Sequence, residues 1–194
     1  MAIQDILPQL MRVPGERAPV GPIAAPFFGF GLLTLACALA SFAFACATPF
    51  AAFAVVAAEM LPLSSAVFVV AAAWVVNQAI GFGALHYPID ANTIGWGLAI
   101  GAAALAGTAI SASVLRVAQR TRAPLALGLA LIVVYATYEL VLFAATPFLG
   151  GEGAFTAAII VKIGMLNIIW LIGLVAVSKA MRLLNPYRRH QTAS

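Results

Sequence analysis

Apolar runs long enough to cross a lipid bilayer follow one another through most of this sequence, and that feature narrows the possible folds most. A helix needs about 20 predominantly apolar residues to traverse the hydrocarbon core. Runs at 24–45, 48–62, 64–85, 94–116, 124–147 and 155–178 read as about six crossings. Only 8% of the 194 residues are charged, against about 25% in ordinary soluble domains. The expected fold class is therefore all-α: one integral membrane bundle over 1–194, with a cytoplasmic or interfacial segment at 1–21 and a basic cytoplasmic tail at 179–194. The run at 48–62 is the weakest. It is short, begins at Pro49 and ends near Glu59 and Pro62, which suggests a tilted, broken or re-entrant segment.

Charge placement sets the orientation. Arg12 and Arg17 precede the first run, Arg116, Arg120 and Arg122 lie between the fourth and fifth, and Lys179, Arg182, Arg188 and Arg189 follow the sixth. With an even number of crossings these residues share one side, which the positive-inside rule makes cytoplasmic. The opposite loops carry His86, Asp90 and Glu152 and neither Lys nor Arg. The expected location is multi-pass, in a bacterial cytoplasmic (inner) membrane, with both termini inside and no cleaved signal peptide. The net charge of +4 is thereby a matter of topology and does not imply nucleic-acid binding. Ile3, Ile6, Leu7, Leu10 and Met11 recur at helical spacing, as in an interfacial helix, although Pro8 interrupts them.

Two cysteines, Cys37 and Cys46, share the first run. On one helix they stand about 13 Å apart along the axis. That separation exceeds the reach of a disulfide, so both read as small packing residues. Small residues also line one side of the fourth run, at Gly97, Gly101, Ala104, Thr108 and Ala112. Such a stripe lets membrane helices approach closely, either inside the chain or against another subunit.

Polar groups in hydrocarbon are costly, so their depth is informative. Asn77 and Gln78, Glu139, and Lys162 each lie roughly 10–12 Å below the outer ends of the third, fifth and sixth runs. Glu139 and Lys162, on adjacent antiparallel helices at matched depth, are expected to pair. Trp74, Asn77 and Gly81 share a face, as do Tyr135, Tyr138 and Glu139, and Asn167 and Trp170. The loop 86–93 is the most polar on the outer side, with Trp96 just beneath it. The inner half, apart from Glu59, is almost wholly apolar. A transmembrane ion relay needs polar groups through the full depth, whereas a pocket open to the outside needs them at one end only. Candidate binding residues are therefore Asn77, Gln78, Glu139, Lys162 and Asn167, with Trp74, Tyr138, His86 and Trp96 as walls or lid. The bland alternatives are a structural ion pair, interhelical hydrogen bonds and interface anchors.

Catalytic motifs are missing. His86 and His190 fall on opposite sides, paired-ligand metal spacing does not occur, and there is no G-x-S-x-G, H-E-x-x-H or phosphate-binding loop. The sequence suggests neither an enzyme nor a resident cofactor.

This layout resembles that of the substrate-binding (S) components of energy-coupling factor transporters, small six-helix membrane proteins with cytoplasmic ends. The matching features are the span count, the orientation, the outer-half polar groups and the alanine-rich first run. Within that run, Ala36-x-x-x-Ala40 resembles the family's small-residue docking motif. The resemblance implies a membrane component that binds a small, vitamin-like solute near the outer face. A coupling membrane subunit and a pair of cytoplasmic ATPases would supply the energy. The N-terminal histidine motif of nickel and cobalt members is absent, which argues against those metals. A different class of function remains open: a structural or assembly subunit of a larger membrane complex, with no small-molecule ligand and the Gly97/Gly101 face as its interface.

Overall fold

A computed structural model describes residues 48–184, together with Gly31, Leu35, Ala36 and Leu39 of the first apolar run, which are helical. Among the described residues all regular structure is helical. The helices are α1 (Phe50–Met60), α2 (Leu63–Ala79), α3 (Ala91–Val117), α4 (Ala123–Leu149) and α5 (Ala157–Leu184). A π-helical turn, Ile80–Ala84, prolongs α2, and short 3-10 segments at Ala118–Arg120 and Glu152–Phe155 follow α3 and α4. Four stretches are long and apolar enough to cross a membrane: Leu63–Ala84, Ala91–Arg120, Ala123–Leu149 and Ala157–Ala180. This is a multi-pass helical membrane protein. Most of the first run, the interfacial segment and the end of the basic tail lie outside the described residues.

The segment 48–62 is not a full crossing. Its helix has 11 residues, or about 16 Å of axis, half of a hydrocarbon core of about 30 Å. It is also the most enclosed element. From Phe50 to Ala57 no residue exceeds 2% exposure. A helix that is apolar on every side can face either lipid or its own bundle, and this one, too short to span, lies at the centre of the bundle. α2, α3, α4 and α5 all pack around it. Phe53 meets Phe50 and Trp170 edge-on, with ring centroids 6.0 Å apart in each pair.

Prolines and glycines mark the ends. Pro62 precedes α2, and Pro124 occupies the first turn of α4, where a missing N–H costs nothing. Pro147, in the last turn of α4, cannot donate to Phe143 O, and the Thr146 hydroxyl donates to that carbonyl instead at 2.7 Å. α4 then stops at Gly150 and Gly151, whose positive φ of 73° and 90° suits glycine.

The two ends of the bundle differ in charge. Glu59 and Arg116 border one recess, and Glu59 and Lys179 border another beside it, so Arg116 of α3 and Lys179 of α5 share an end. At the opposite end the start of α3 meets the end of α4, where Asn92 Nδ2 donates to Leu149 O at 2.7 Å.

Most of the small-residue stripe on α3 faces inward. Gly97, Gly101, Ala104 and Thr108 are buried against the chain's own helices, and Ala112 is half-buried. That face is therefore already occupied and is not the intersubunit surface considered above. Ala36, from the docking-like pattern on the first run, is 6% exposed and belongs to the chain's own core. Ala40 lies outside the described residues.

Candidate functional site

The site grows from the contact between α2 and α3. Trp74, Asn77, Gln78 and Gly81 follow the helical step of three and four, which turns them toward the same neighbour. That neighbour is flat because α3 carries glycines. Trp74 Nε1 donates to Gly97 O at 2.8 Å, a bond possible only where the backbone is uncovered. A Cβ on Gly101 would stand 2.7 Å from Trp74 Cε2, and one on Gly97 would run into the Gln78 amide oxygen. The two glycines are recesses for the Trp74 and Gln78 side chains.

α2 then loosens into the π-helical turn, a departure from α geometry common at functional sites. Leu85 N donates to Ile80 O at 2.9 Å, and Tyr87 N to Gly81 O at 3.0 Å. The Tyr87 ring lies on Gly81, where a Cβ would come within 2.9 Å of it. His86 takes a positive φ of 56°, letting the chain fold back toward α3. Asp90 starts α3 by accepting from Thr93 N at 2.7 Å. That backbone bond, with a further one from the Thr93 hydroxyl, holds the Asp90 carboxyl below its ordinary range.

These elements enclose a cavity of about 80 Å³ at the end remote from the basic residues. Asn77, Gln78 and Trp96 supply its polar and aromatic wall, and Phe82, Leu85 and Tyr87 close it from the π turn and the loop. Thr93 and Ile100 complete the α3 side. Among the described residues no charged side chain borders it. The amides are ordered by one another: Gln78 Nε2 donates to Asn77 Oδ1, and Asn77 Nδ2 to Thr48 Oγ1, both at 3.0 Å.

That chain of bonds reaches the top of α1, whose N-cap position is Pro49 and offers no side-chain acceptor. The first N–H groups of any helix lack intrahelical partners. Asn167, reaching in from α5, accepts from Ala52 N at 3.0 Å and donates to Ile163 O at 3.0 Å. Asn167 is thus the cap of a helix that begins inside the bundle.

The candidate residues therefore separate. Asn77, Gln78 and Trp96 meet at the cavity, and Trp74 stands directly behind them. His86 is exposed at the turn and does not border the cavity. Tyr138 is buried in the core. Glu139 does not pair with Lys162. Its side chain lies against the Tyr135 hydroxyl one turn earlier in α4, while Lys162 is exposed. Tyr135 in turn donates to Ile160 O at 2.6 Å, tying α4 to α5. Phe82, Leu85, Thr93 and Ile100 were not singled out from sequence. The signal that reaches two of them is the Gly81-Phe82-Gly83 step that precedes Leu85. Among the described residues no group of His, Cys, Asp and Glu is placed to hold a metal ion.

No family model, curated protein or solved structure matches this chain.

Proposed function

We propose that this chain is the membrane-embedded, solute-binding component of a multi-subunit importer, resembling the substrate-binding components of energy-coupling factor transporters. The observation that carries this reading is the convergence of Asn77, Gln78 and Trp96 on a cavity at the end of the bundle opposite Arg116 and Lys179. By the positive-inside rule that end faces outward from a bacterial inner membrane. The wall formed by the described residues is aromatic and amide-bearing with no charge, which favours a small uncharged solute that both donates and accepts hydrogen bonds. A volume of about 80 Å³ holds a solute of only a few heavy atoms, against about 300 Å³ or more in drug-sized sites. A vitamin-sized ligand enters only if Tyr87 lifts from Gly81. Glu139 and Lys162 lie outside this role.

Energy would come from a coupling membrane subunit and its ATPases. Docking to them uses a face other than Ala36, which the chain itself covers.

Thermal unfolding of the purified full-length chain, with a panel of small amides, polyols and vitamins, tests the reading. A ligand at a hundred times its Kd stabilises the folded state by about 2.7 kcal/mol. One member of the panel is expected to raise the melting temperature, and Gln78→Ala to remove that rise while leaving the helix content unchanged. No rise with any solute, together with stable co-purification of other membrane subunits, would support the structural-subunit reading instead.

A further inference from the structure

The seam between α4 and α5 is tied unevenly. Toward the basic end the two helices border a recess of about 450 Å³. Away from that end, Tyr135 reaches across from α4 and donates to Ile160 O, in the first turn of α5, at 2.6 Å. Gly164, one turn further along α5, leaves room for the ring: a Cβ there would stand 3.2 Å from Tyr135 Cε1. Glu139, one turn after Tyr135 on α4, is half-buried with its carboxyl against the same hydroxyl. A phenol has a single proton to give. Ile160 O can only accept, so that proton is committed to it. A carboxylate can only accept as well. Beside this hydroxyl it would meet a lone pair and no donor. A protonated carboxyl has a proton to give, and the Tyr135 oxygen can take it. Depth argues the same way. Glu139 lies about 15 Å before the end of α4, inside a span where an uncompensated charge is costly. Among the other ionisable groups on the surrounding elements, Tyr138 is buried in the core, Lys162 is exposed and Glu152 sits on the connecting 3-10 turn. α1 carries only Glu59, at the basic end, α2 carries none, and α3 carries only Arg116, also at that end. The first apolar run has no charged residue.

We propose that Glu139 is a proton-binding site that controls the contact between α4 and α5. While it holds its proton, hydrogen bonds run from Glu139 to Tyr135 and from Tyr135 to Ile160 O, and the two helices are latched. When the proton leaves for the surrounding water, the carboxylate becomes the better acceptor. The phenolic proton stays on Tyr135 and turns from Ile160 O to Glu139, which frees α5. Protonation favours the latched form, so the latch is complete at low pH and weakens as pH rises. Glu139 does not border the outer cavity, and the site does not depend on the solute-binding role.

Two readouts on the full-length chain in lipid vesicles test this. The infrared difference between wild type and Glu139→Gln at neutral pH should contain the carbonyl band of a protonated carboxylic acid, and that band should fade from the wild type as pH is raised. The second readout is the distance between spin labels on Ile132→Cys of α4 and Val161→Cys of α5, residues 68% and 63% exposed, in a Cys37→Ala, Cys46→Ala background. With Glu139 intact, the distance should lengthen over the same pH range in which the band fades. Glu139→Gln, neutral and able to donate, should keep the short distance throughout. Tyr135→Phe should show the long distance throughout, because it has no hydroxyl to share. A carboxylate band for Glu139 at neutral pH overturns the proposal. So does an acid band that persists until the helix content falls, or a distance that stays constant while the band fades. If Glu139→Gln does not fold, the pH series on the chain with Glu139 intact decides alone: fading and lengthening together support the latch, and either without the other overturns it.

Discussion

Asn167→Leu is expected to destabilise the protein by about 2–3 kcal/mol, the cost of leaving a buried donor unsatisfied. The donor is Ala52 N, in the first turn of a helix whose surroundings exclude water. Ala52 is 0% exposed and Asn167 is 2% exposed. Interhelical hydrogen bonds in membranes average nearer 0.6 kcal/mol, because an orphaned group commonly finds another partner. Here the N-cap position is proline, and the nearest side-chain oxygen, Thr48 Oγ1, already accepts from Asn77. Reversible unfolding in mixed micelles measures the difference. Ile169→Ala, on a residue 62% exposed, is the matched control and should change little. A loss for Asn167→Leu no greater than the control's would mean that α1 does not depend on this cap.

The second large effect concerns the contact between α2 and α3. Gly101→Leu places its Cβ against the Trp74 indole, which is held by its bond to Gly97 O. Overpacking costs about 1–3 kcal/mol where side chains can move, and more where they are fixed. About 3 kcal/mol or more is expected, along with loss of solute binding, because Trp74 backs the cavity wall. The double variant Gly101→Leu with Trp74→Ala should recover much of that loss, since the two residues touch and their effects are coupled. Additive losses would show that the close approach at Gly101 is not what holds the helices together.

Much of this architecture is legible in the sequence because a bilayer imposes a length. The runs at 64–85, 94–116, 124–147 and 155–178 correspond to the four long helices. Of the basic residues used for the orientation, Arg116 and Lys179 border neighbouring recesses that share Glu59. The segment 48–62 deceived by composition. An alanine- and valine-rich stretch reads the same whether it faces lipid or the inside of its own bundle, and only its shortness and its prolines hinted at a half-length helix. Depth misled in a similar way. Asn77, Glu139 and Lys162 read at comparable levels, with Asn167 about two turns deeper than Lys162 at most, but depth along a helix says nothing about azimuth. Asn77 turns toward Thr48 at the start of α1, Asn167 toward the first turn of α1, Glu139 toward its own helix and Lys162 outward. Gly97 and Gly101 were visible as a small-residue face. What fills that face, Trp74 and Gln78, is a fact of packing between distant segments and not of local pattern.

Labelling of a single cysteine at Thr93, which borders the cavity from α3, bears most directly on the role proposed for this chain. In a Cys37→Ala, Cys46→Ala background, Thr93→Cys should react with a membrane-impermeant maleimide added to intact cells and stay unlabelled in inverted vesicles. The solute that raises the melting temperature should slow the reaction. Labelling only from the cytoplasmic face, or a rate that no solute alters, would contradict an outward-facing recognition site.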